Sequence, residues 1–149
     1  MRAVVQRVSG ARALVDNRTA GAIDDGLLAL VSVGVDDDER DARAMAEKIA
    51  TLRIFPDEEG LMNRSLRDAG GAVLLVSQFT LHGDVRRGRR PSFIAAAKEP
   101  LARDLYELTG RVLQAIGLSV AYGEFGAKME VELVNTGPVT ILIDTKRIF

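Results

Sequence analysis

Two short segments hold residue types whose spacing suits chemistry: Ser77-Gln78-Phe79-Thr80-Leu81 and Asn135-Thr136-Gly137-Pro138-Val139-Thr140. Each follows an apolar run that reads as a strand, so each stands at a strand end, where a binding site can form. Ser77 and Thr80 offer hydroxyls, but no general base stands beside them, and an alcohol without a base is a weak nucleophile. Backbone N–H groups at Phe79 and Thr80 can instead form an oxyanion hole, where one donor contributes roughly 3 kcal/mol of transition-state stabilisation. Phe79 reads either as a flat surface for a ring-shaped ligand or as a core residue. Gly137-Pro138 is a conformationally special pair. Glycine adopts dihedrals closed to other residues. An X–Pro bond adopts the cis form at a cost of about 0.5–1 kcal/mol. The pair reads as a hairpin turn or as part of a site built from main chain.

Other chemistries are absent from the chain. With one histidine, His82, and no cysteine, a His/Cys zinc site cannot be assembled. Neither a glycine-rich phosphate loop nor a G-x-S-x-G elbow occurs. A Ser77/His82/Asp84 triad would crowd all three members onto one short loop, which does not give triad geometry. His82 reads as a loop residue with local hydrogen bonds only.

The 149 residues fit one domain, 1–149, long enough to bury roughly 70% of the unfolded chain's surface. The lack of cysteine fits a reducing compartment. The longest apolar run, around residues 27–35, is too short to span a membrane, and the start lacks the apolar core of a signal peptide, so a soluble cytoplasmic protein is expected. A net charge of −1, from 20 basic and 21 acidic residues, argues against a general nucleic-acid coat. A local basic patch exists nonetheless in Arg86, Arg87, Arg89 and Arg90. It reads as a solvated loop or as a contact for a phosphate backbone.

Strands and helices must position these residues. Short strands are expected at 2–8, 11–16, 19–24 and 27–33, with turns at Ser9-Gly10, Asp16-Asn17 and Asp24-Asp25-Gly26, which suggests an antiparallel meander. Asp36-Asp37-Asp38-Glu39 opens a helix by capping and solvation rather than by binding a cation, and Ala42, Met45, Ala46, Ile49 and Leu52 follow at helical spacing. Residues 52–55 and 73–77 read as strands with a loop between Pro56 and Gly71. A second helix is expected from about 100 to 116, with a stripe of Leu101, Leu105, Leu108, Val112 and Ile116 and a stop at Gly117. Strands at 119–124, 129–135 and 139–145 close the chain, the last two as arms of a hairpin joined by Thr136-Gly137-Pro138.

Taken together, the segments resemble those of the D-aminoacyl-tRNA deacylases. The matching stretches are Met1 to Val8, Met62-Asn63-Arg64-Ser65, Ser77-Gln78-Phe79-Thr80-Leu81, Gly88-Arg89-Arg90-Pro91-Ser92-Phe93, Gly123-Glu124-Phe125-Gly126-Ala127 and Asn135-Thr136-Gly137-Pro138-Val139-Thr140. They run in order along essentially the whole chain. Each is weak alone, and in register they are specific. The run at 86–90 is more basic than the motif requires.

The resemblance implies an α/β (α+β) homodimer with a curved, mostly antiparallel, barrel-like sheet and two helices packed on it. It implies hydrolysis of the ester between a D-amino acid and tRNA, and release of glycine mischarged on tRNA, with no cofactor and no metal. Ser77, Gln78, Phe79 and Thr80 would line the catalytic pocket. Gly137 and Pro138, joined by a cis bond, would reach across the subunit interface and select the hand of the substrate. Arg7 would brace that selector, Phe125 and Met129 would contact the terminal adenosine, Asn135 would support substrate binding, and the four arginines would meet the tRNA backbone. Thr80 as a covalent nucleophile is a second reading of the chemistry. A non-catalytic nucleic-acid-binding module and a hydrolase of small D-amino acid esters are the rival functions.

Overall fold

The computed structural model describes residues 1–148. Eight strands and three helices follow one another as β1 (Arg2–Val15), β2 (Arg18–Ile23), β3 (Gly26–Ser32), α1 (Glu39–Thr51), β4 (Phe55–Pro56), β5 (Met62–Arg64), α2 (Leu66–Ala69), β6 (Ala72–Ser77), α3 (Leu101–Ala115), β7 (Ser119–Tyr122) and β8 (Glu130–Asp144), with a 3₁₀ turn at Phe79–His82.

Residues 2–15 form one strand without a break at Ser9-Gly10. β1 has partners on both edges. On one side its first half pairs with β3 and its second half with β2; β8 runs antiparallel to it on the other side. The spatial order β2-β1-β3-β6-β7 therefore replaces the expected meander. The sheet is mixed, because β3–β6 and β6–β7 are parallel. Each parallel connection needs a crossover, and α1 and α3 fall within the two crossovers. The two helices pack against each other.

Burial on both faces explains the unbroken apolar runs of β3 and β6. Leu27, Ala29, Val31, Val73 and Leu75 face the core shared with Met45, Ile49, Leu105 and Leu113 of the helices. Leu28, Leu74 and Val76 face a second core with Val8, Ala11 and Ala13. That inner core exists because the sheet curls nearly shut. β2 comes so close to β7 that a Cβ on Gly21 would stand 2.3 Å from the Tyr122 carbonyl oxygen.

The helices start and stop as their sequences dictate, with three corrections. Asp38 caps α1 in a reciprocal box with Asp41, but its neighbour Asp37 is buried rather than solvated: it accepts from the Met1 ammonium at 2.7 Å and from the Gly34 N–H at 2.6 Å. The fully buried residues of α3 are Leu105, Tyr106, Thr109, Gly110 and Leu113, rotated slightly from the expected stripe. Of that stripe Leu105 is buried, Leu108, Val112 and Ile116 pack half-buried on the core, and Leu101 is exposed. Gly110 draws that face inward, since any Cβ there would meet the Tyr122 ring. The expected loop 56–71 contains β5 and the single-turn α2, capped by Ser65 and ended by Gly70 at φ 71°.

The expected hairpin is also absent. Both of its arms belong to β8 and both pair with β1, Glu130–Asn135 opposite Leu14–Val8 and Thr140–Asp144 opposite Gln6–Arg2. Between Gln6 and Val8 lies one residue of β1; between Asn135 and Thr140 lie four of β8. The surplus leaves the ladder as a wide bulge.

Gly21→Ala should destabilise the protein by roughly 1–3 kcal/mol in urea unfolding, because the clash at the β2–β7 seam is with backbone that cannot rotate away. Gly10→Ala, with only the Ile23 carbonyl oxygen near at 3.9 Å, should change little.

Candidate active site

A pocket of about 490 Å³ opens at the carboxyl ends of the parallel strands β3 and β6. Such strand ends are where open parallel sheets commonly bind ligands. Its walls come from Val31–Val33, from Val76–Phe79, from the segment around Phe93–Glu99, from Ala102 and Tyr106 on α3, and from Phe125–Val131. Five of the expected site residues, Ser77, Gln78, Phe79, Phe125 and Met129, line it together.

The 3₁₀ turn explains the free donors. Gln78 N–H donates to Val31 C=O at 2.8 Å, and Leu81 N–H donates to Gln78 C=O at 3.2 Å. Phe79 and Thr80, the first two residues of the turn, have no acceptor within it for their N–H groups. The Thr80 side chain is exposed and does not line the pocket; its Oγ1 accepts from Gln78 Nε2. No base stands on it among the described residues. Phe79 is 56% exposed and meets Phe93 edge-on, ring centroids 5.1 Å apart.

The opposite wall is aromatic. Phe125 lies 5.4 Å from the Tyr106 ring and 4.6 Å beneath the Arg103 guanidinium. Arg103 is held there by both carboxylate oxygens of Glu99, each at 3.2 Å, and that partner raises its pKa. Tyr106 donates its buried hydroxyl to Leu75 C=O at 2.8 Å, and burial raises its pKa, so the phenol stays protonated. The lining between these walls is mainly apolar. Lys98, Glu99, Phe93 and Tyr106 were not singled out as site residues from the sequence. Lys98 and Glu99 come before α3 in an irregular segment with no periodic signal, and only the fold brings them to Phe125.

The bulge lies away from this pocket. Gly137 and Pro138 are exposed and absent from its lining. The Gly137–Pro138 bond is cis. Asn135 ties the bulge shut, accepting from Val139 N–H at 2.8 Å and donating to Val139 C=O at 3.2 Å. Arg7, the β1 residue facing the gap, fills it. Its Nε donates to Thr136 C=O at 3.0 Å and its Nη1 to Ile54 C=O at 2.6 Å. Gly137 has φ 132°, and a Cβ there would press on Arg7 and Val139. The bulge is thus a fixed, outward-facing piece of main chain.

The arginine run is an exposed loop whose base is closed by two hydrogen bonds between Asp84 and Ser92. It leaves the pocket rim next to Phe93. Arg86 is neutralised by Asp84 at 2.7 Å, and its side-chain and backbone hydrogen bonds bring that carboxyl down to about 2. No carboxylate of the described residues pairs with Arg87, Arg89 or Arg90.

His82 corrects an expectation. It is buried, and its Nδ1 lies 2.6 Å from the hydroxyl of Ser32, fifty residues away in sequence, so its bonding is not local. Burial lowers its pKa, and the Arg2 charge adds to that.

A family model described as D-Tyr-tRNA(Tyr) deacylase matches residues 4–144. The chain belongs to the D-Tyr-tRNA(Tyr) deacylase family. Relatives named D-aminoacyl-tRNA deacylase include one from Koribacter versatilis, 58% identical with all of both chains covered, and one from Roseiflexus castenholzii, 58% identical over 97% of this chain and 92% of the relative. The deacylase of Thermus aquaticus is 54% identical over 97% of this chain and 95% of its own. Among solved structures, one titled c-Myc DNA Unwinding Element Binding Protein superposes with a TM-score of 0.91 at 36% identity, covering 97% of this chain and 99% of that one. A probable eukaryotic D-amino acid tRNA deacylase shares the fold, with a TM-score of 0.80 at 18% identity over 95% and 97% of the two chains. This deacylase is therefore a hydrolase acting on a carboxylic ester of aminoacyl-tRNA. Among the described residues no helix is long and apolar enough to cross a membrane.

Asn135→Ala should speed amide exchange at Val139 about fivefold and leave Val8 and Thr140 protected; losing one such hydrogen bond is worth about 1 kcal/mol. Unchanged exchange at Val139 would mean that the Asn135 side chain does not hold the bulge.

Proposed function

We propose that the enzyme sorts aminoacyl-tRNA by hand, releasing D-amino acids and glycine and sparing L-amino acids, and that it does so as a homodimer. The observation that carries this reading is a separation. One protomer has a pocket with free main-chain donors and, apart from it, a fixed bulge at Gly137-Pro138 facing outward. A two-fold partner can bring one copy's bulge to the other copy's pocket. Exposed Val134 and Leu142 on β8 support such a contact.

The selection is steric. Both enantiomers carry the same ester, amine and side chain, and only the direction of the side chain from Cα differs. A rigid main-chain wall excludes one direction whatever the side chain is. Glycine has no side chain to exclude. Rejection by 10⁴ needs about 5.5 kcal/mol. Differences in side-chain affinity rarely reach that. A collision with a wall braced by Arg7 and Asn135 does.

In the hydrolysis, Phe125 and Met129 hold the terminal adenosine, and Arg87, Arg89 and Arg90, with Arg86 beside them, meet the phosphates behind it. Water attacks the ester carbonyl carbon. The oxyanion takes hydrogen bonds from the Phe79 and Thr80 N–H groups, each worth roughly 3 kcal/mol. The ribose oxygen leaves with the electron pair of the broken bond and takes a proton from the attacking water. The neighbouring 2′-hydroxyl positions that water. Ser77 and Gln78 shape the turn that carries the donors. The Thr80 hydroxyl has no covalent role. A tRNA substrate implies a cytoplasmic enzyme.

Thr80→Ala should keep its single-turnover rate on D-tyrosyl-tRNA within about tenfold of wild type, since a side chain without a base adds little; a thousandfold fall would restore the covalent reading. Arg7→Ala, which frees the Thr136 carbonyl, should admit L-tyrosyl-tRNA, raising its deacylation at least tenfold in the same assay. Wild type should cleave D-tyrosyl-tRNA and glycyl-tRNA but neither L-tyrosyl-tRNA nor a free D-tyrosine ester at a comparable rate. Equal stripping of both hands, or a stable monomer in sedimentation, would sink the reading.

A further inference from the structure

The turn that carries the two free N–H groups is held from beneath by a pair the hydrolysis does not otherwise use. Ser32, the last residue of β3, lines the pocket yet is 2% exposed. Its hydroxyl lies 3.4 Å from the Phe79 carbonyl oxygen and 2.6 Å from Nδ1 of His82, which closes the turn and is 8% exposed. Arg2 anchors the same turn from the other side, donating to Leu81 C=O at 3.0 Å.

The Phe79 carbonyl and the Thr80 N–H belong to one planar peptide and point in opposite directions. Whatever holds the oxygen therefore aims the hydrogen: the 3₁₀ turn brings the His82 N–H to it, and its second lone pair is left for Ser32. Ser32 has one proton to give. If that proton goes to Nδ1 of His82, the Phe79 oxygen has no donor from the hydroxyl. If Nδ1 carries the proton and donates to Ser32, the hydroxyl is free to donate to Phe79. Burial, then the charge of Arg2, lowers the His82 pKa, while Asp37 and Asp144 oppose and the Met1 ammonium adds to the lowering. The ring is therefore neutral at pH 7, with one N–H whose position matters. Donors in series also polarise one another, so a bonded Phe79 carbonyl makes Thr80 N–H a stronger donor. At 3.4 Å the hydrogen bond to the Phe79 oxygen is the longer of the two that the Ser32 hydroxyl makes.

We propose that Ser32 and His82 are positioning residues of the deacylase: a relay from His82 Nδ1–H through the Ser32 hydroxyl holds the Phe79 carbonyl and so aims the Thr80 N–H at the scissile ester. The proposal rests on the main-chain reading of the chemistry above. A merely structural Ser–His pair would affect folding stability and leave the rate per folded molecule intact.

The test is single-turnover deacylation of D-tyrosyl-tRNA by the full chain, with enzyme concentration varied to separate rate from binding and melting followed in parallel. Ser32→Ala and His82→Leu should lower the maximal rate by tenfold to about a hundredfold, the size expected of a misaimed group. Half-saturation should stay within twofold. Ser32→Thr keeps a hydroxyl, and His82→Asn keeps an amide donor near Nδ1; both should recover the rate to within about threefold. An unchanged rate in Ser32→Ala overturns the relay. So does a loss that neither conservative variant restores, since that marks packing. A backbone ester at position 80, made by placing an α-hydroxy acid there, removes the N–H itself and separates the two failures. It should lose 10²–10³ in rate. No loss in that variant brings down the main-chain reading, and the relay with it; a loss there beside an unaffected Ser32→Ala overturns the relay alone.

Discussion

The structure depends on β1 being hydrogen-bonded along both edges for almost its whole length. β2 and β3 share one edge, and β8 occupies the other. With both ends of β8 fixed to the same strand, the middle of β8 has nowhere to put its surplus residues except outside the ladder. The bulge at 136–139 is thus a consequence of register. Arg7 stands opposite because it is the one β1 residue between Gln6 and Val8, the last partners on either side of the gap. Its guanidinium supplies the donor that Thr136 C=O lost by leaving the sheet. An exposed main-chain loop is ordinarily mobile. Here a side chain at each end replaces the ladder.

The pocket follows from the other half of the sheet. β3, β6 and β7 run parallel, so their carboxyl ends open on the same side. Each contributes something there: Ser32 closes β3, Ser77 closes β6 opposite Val31, and the chain after β7 brings Phe125 and Met129. α1 and α3 cover one face of the sheet and the near-closure of β2 on β7 covers the other. Rigid walls result, because both cores are buried on a continuous hydrogen-bonded frame. The donors at Phe79 and Thr80 gain from this. Main chain that begins a 3₁₀ turn directly after a central strand has little freedom to reorganise, and pre-set dipoles stabilise developing charge without reorganisation.

Much of this was legible in the sequence where local chemistry decides. α1 starts at its acidic cap, α3 stops where Gly117 turns left-handed at φ 97°, and the strands 27–33 and 73–77 stand where the apolar runs put them. The bulge was misread because its signal is local and its cause is not. Gly-Pro between two alternating stretches has the pattern of a hairpin, and only the length of β1 makes both arms pair with a third strand. Four residues of the expected α3 stripe, Leu105, Leu108, Val112 and Ile116, do pack on the core, but the centre of the buried face is rotated for a similar reason. Leucine spacing favours one stripe, yet the side that enters is the one where Gly110 lets Tyr122 approach. His82 and Asp37 lie in polar stretches that read as solvated, and they are buried because Ser32 and the Met1 ammonium, remote in sequence, give them partners. Of the five lining residues named from the sequence, Ser77, Gln78 and Phe79 stood out as a strand-end segment, whereas Phe125 and Met129 came only from a resemblance to a family. Nothing in their spacing alone would have joined 77–79 to 125 and 129.

A site of this kind also accounts for what the chain lacks. Side-chain catalysis would require a base beside a nucleophile, and the single histidine is buried under the turn with a lowered pKa, where it has no access to substrate. Aminoacyl esters are already activated carbonyls, so the barrier left to the enzyme is modest beside that of an amide. In the proposed reading the two aimed N–H groups contribute roughly 3 kcal/mol each. The harder task is refusal. Every L-aminoacyl-tRNA offers the same ester, so a site that relied on side-chain recognition would need a different pocket for each amino acid. Main chain differs from side chain in that its shape does not change with the identity of what it meets. In the same proposed reading, a stiff bulge tests one property common to all substrates, the direction of the Cα substituent, and the pocket is left to recognise the common nucleoside end. Discrimination and chemistry can then be built from the same material, provided that each piece of backbone is held as firmly as Arg7 and Asn135 hold the bulge.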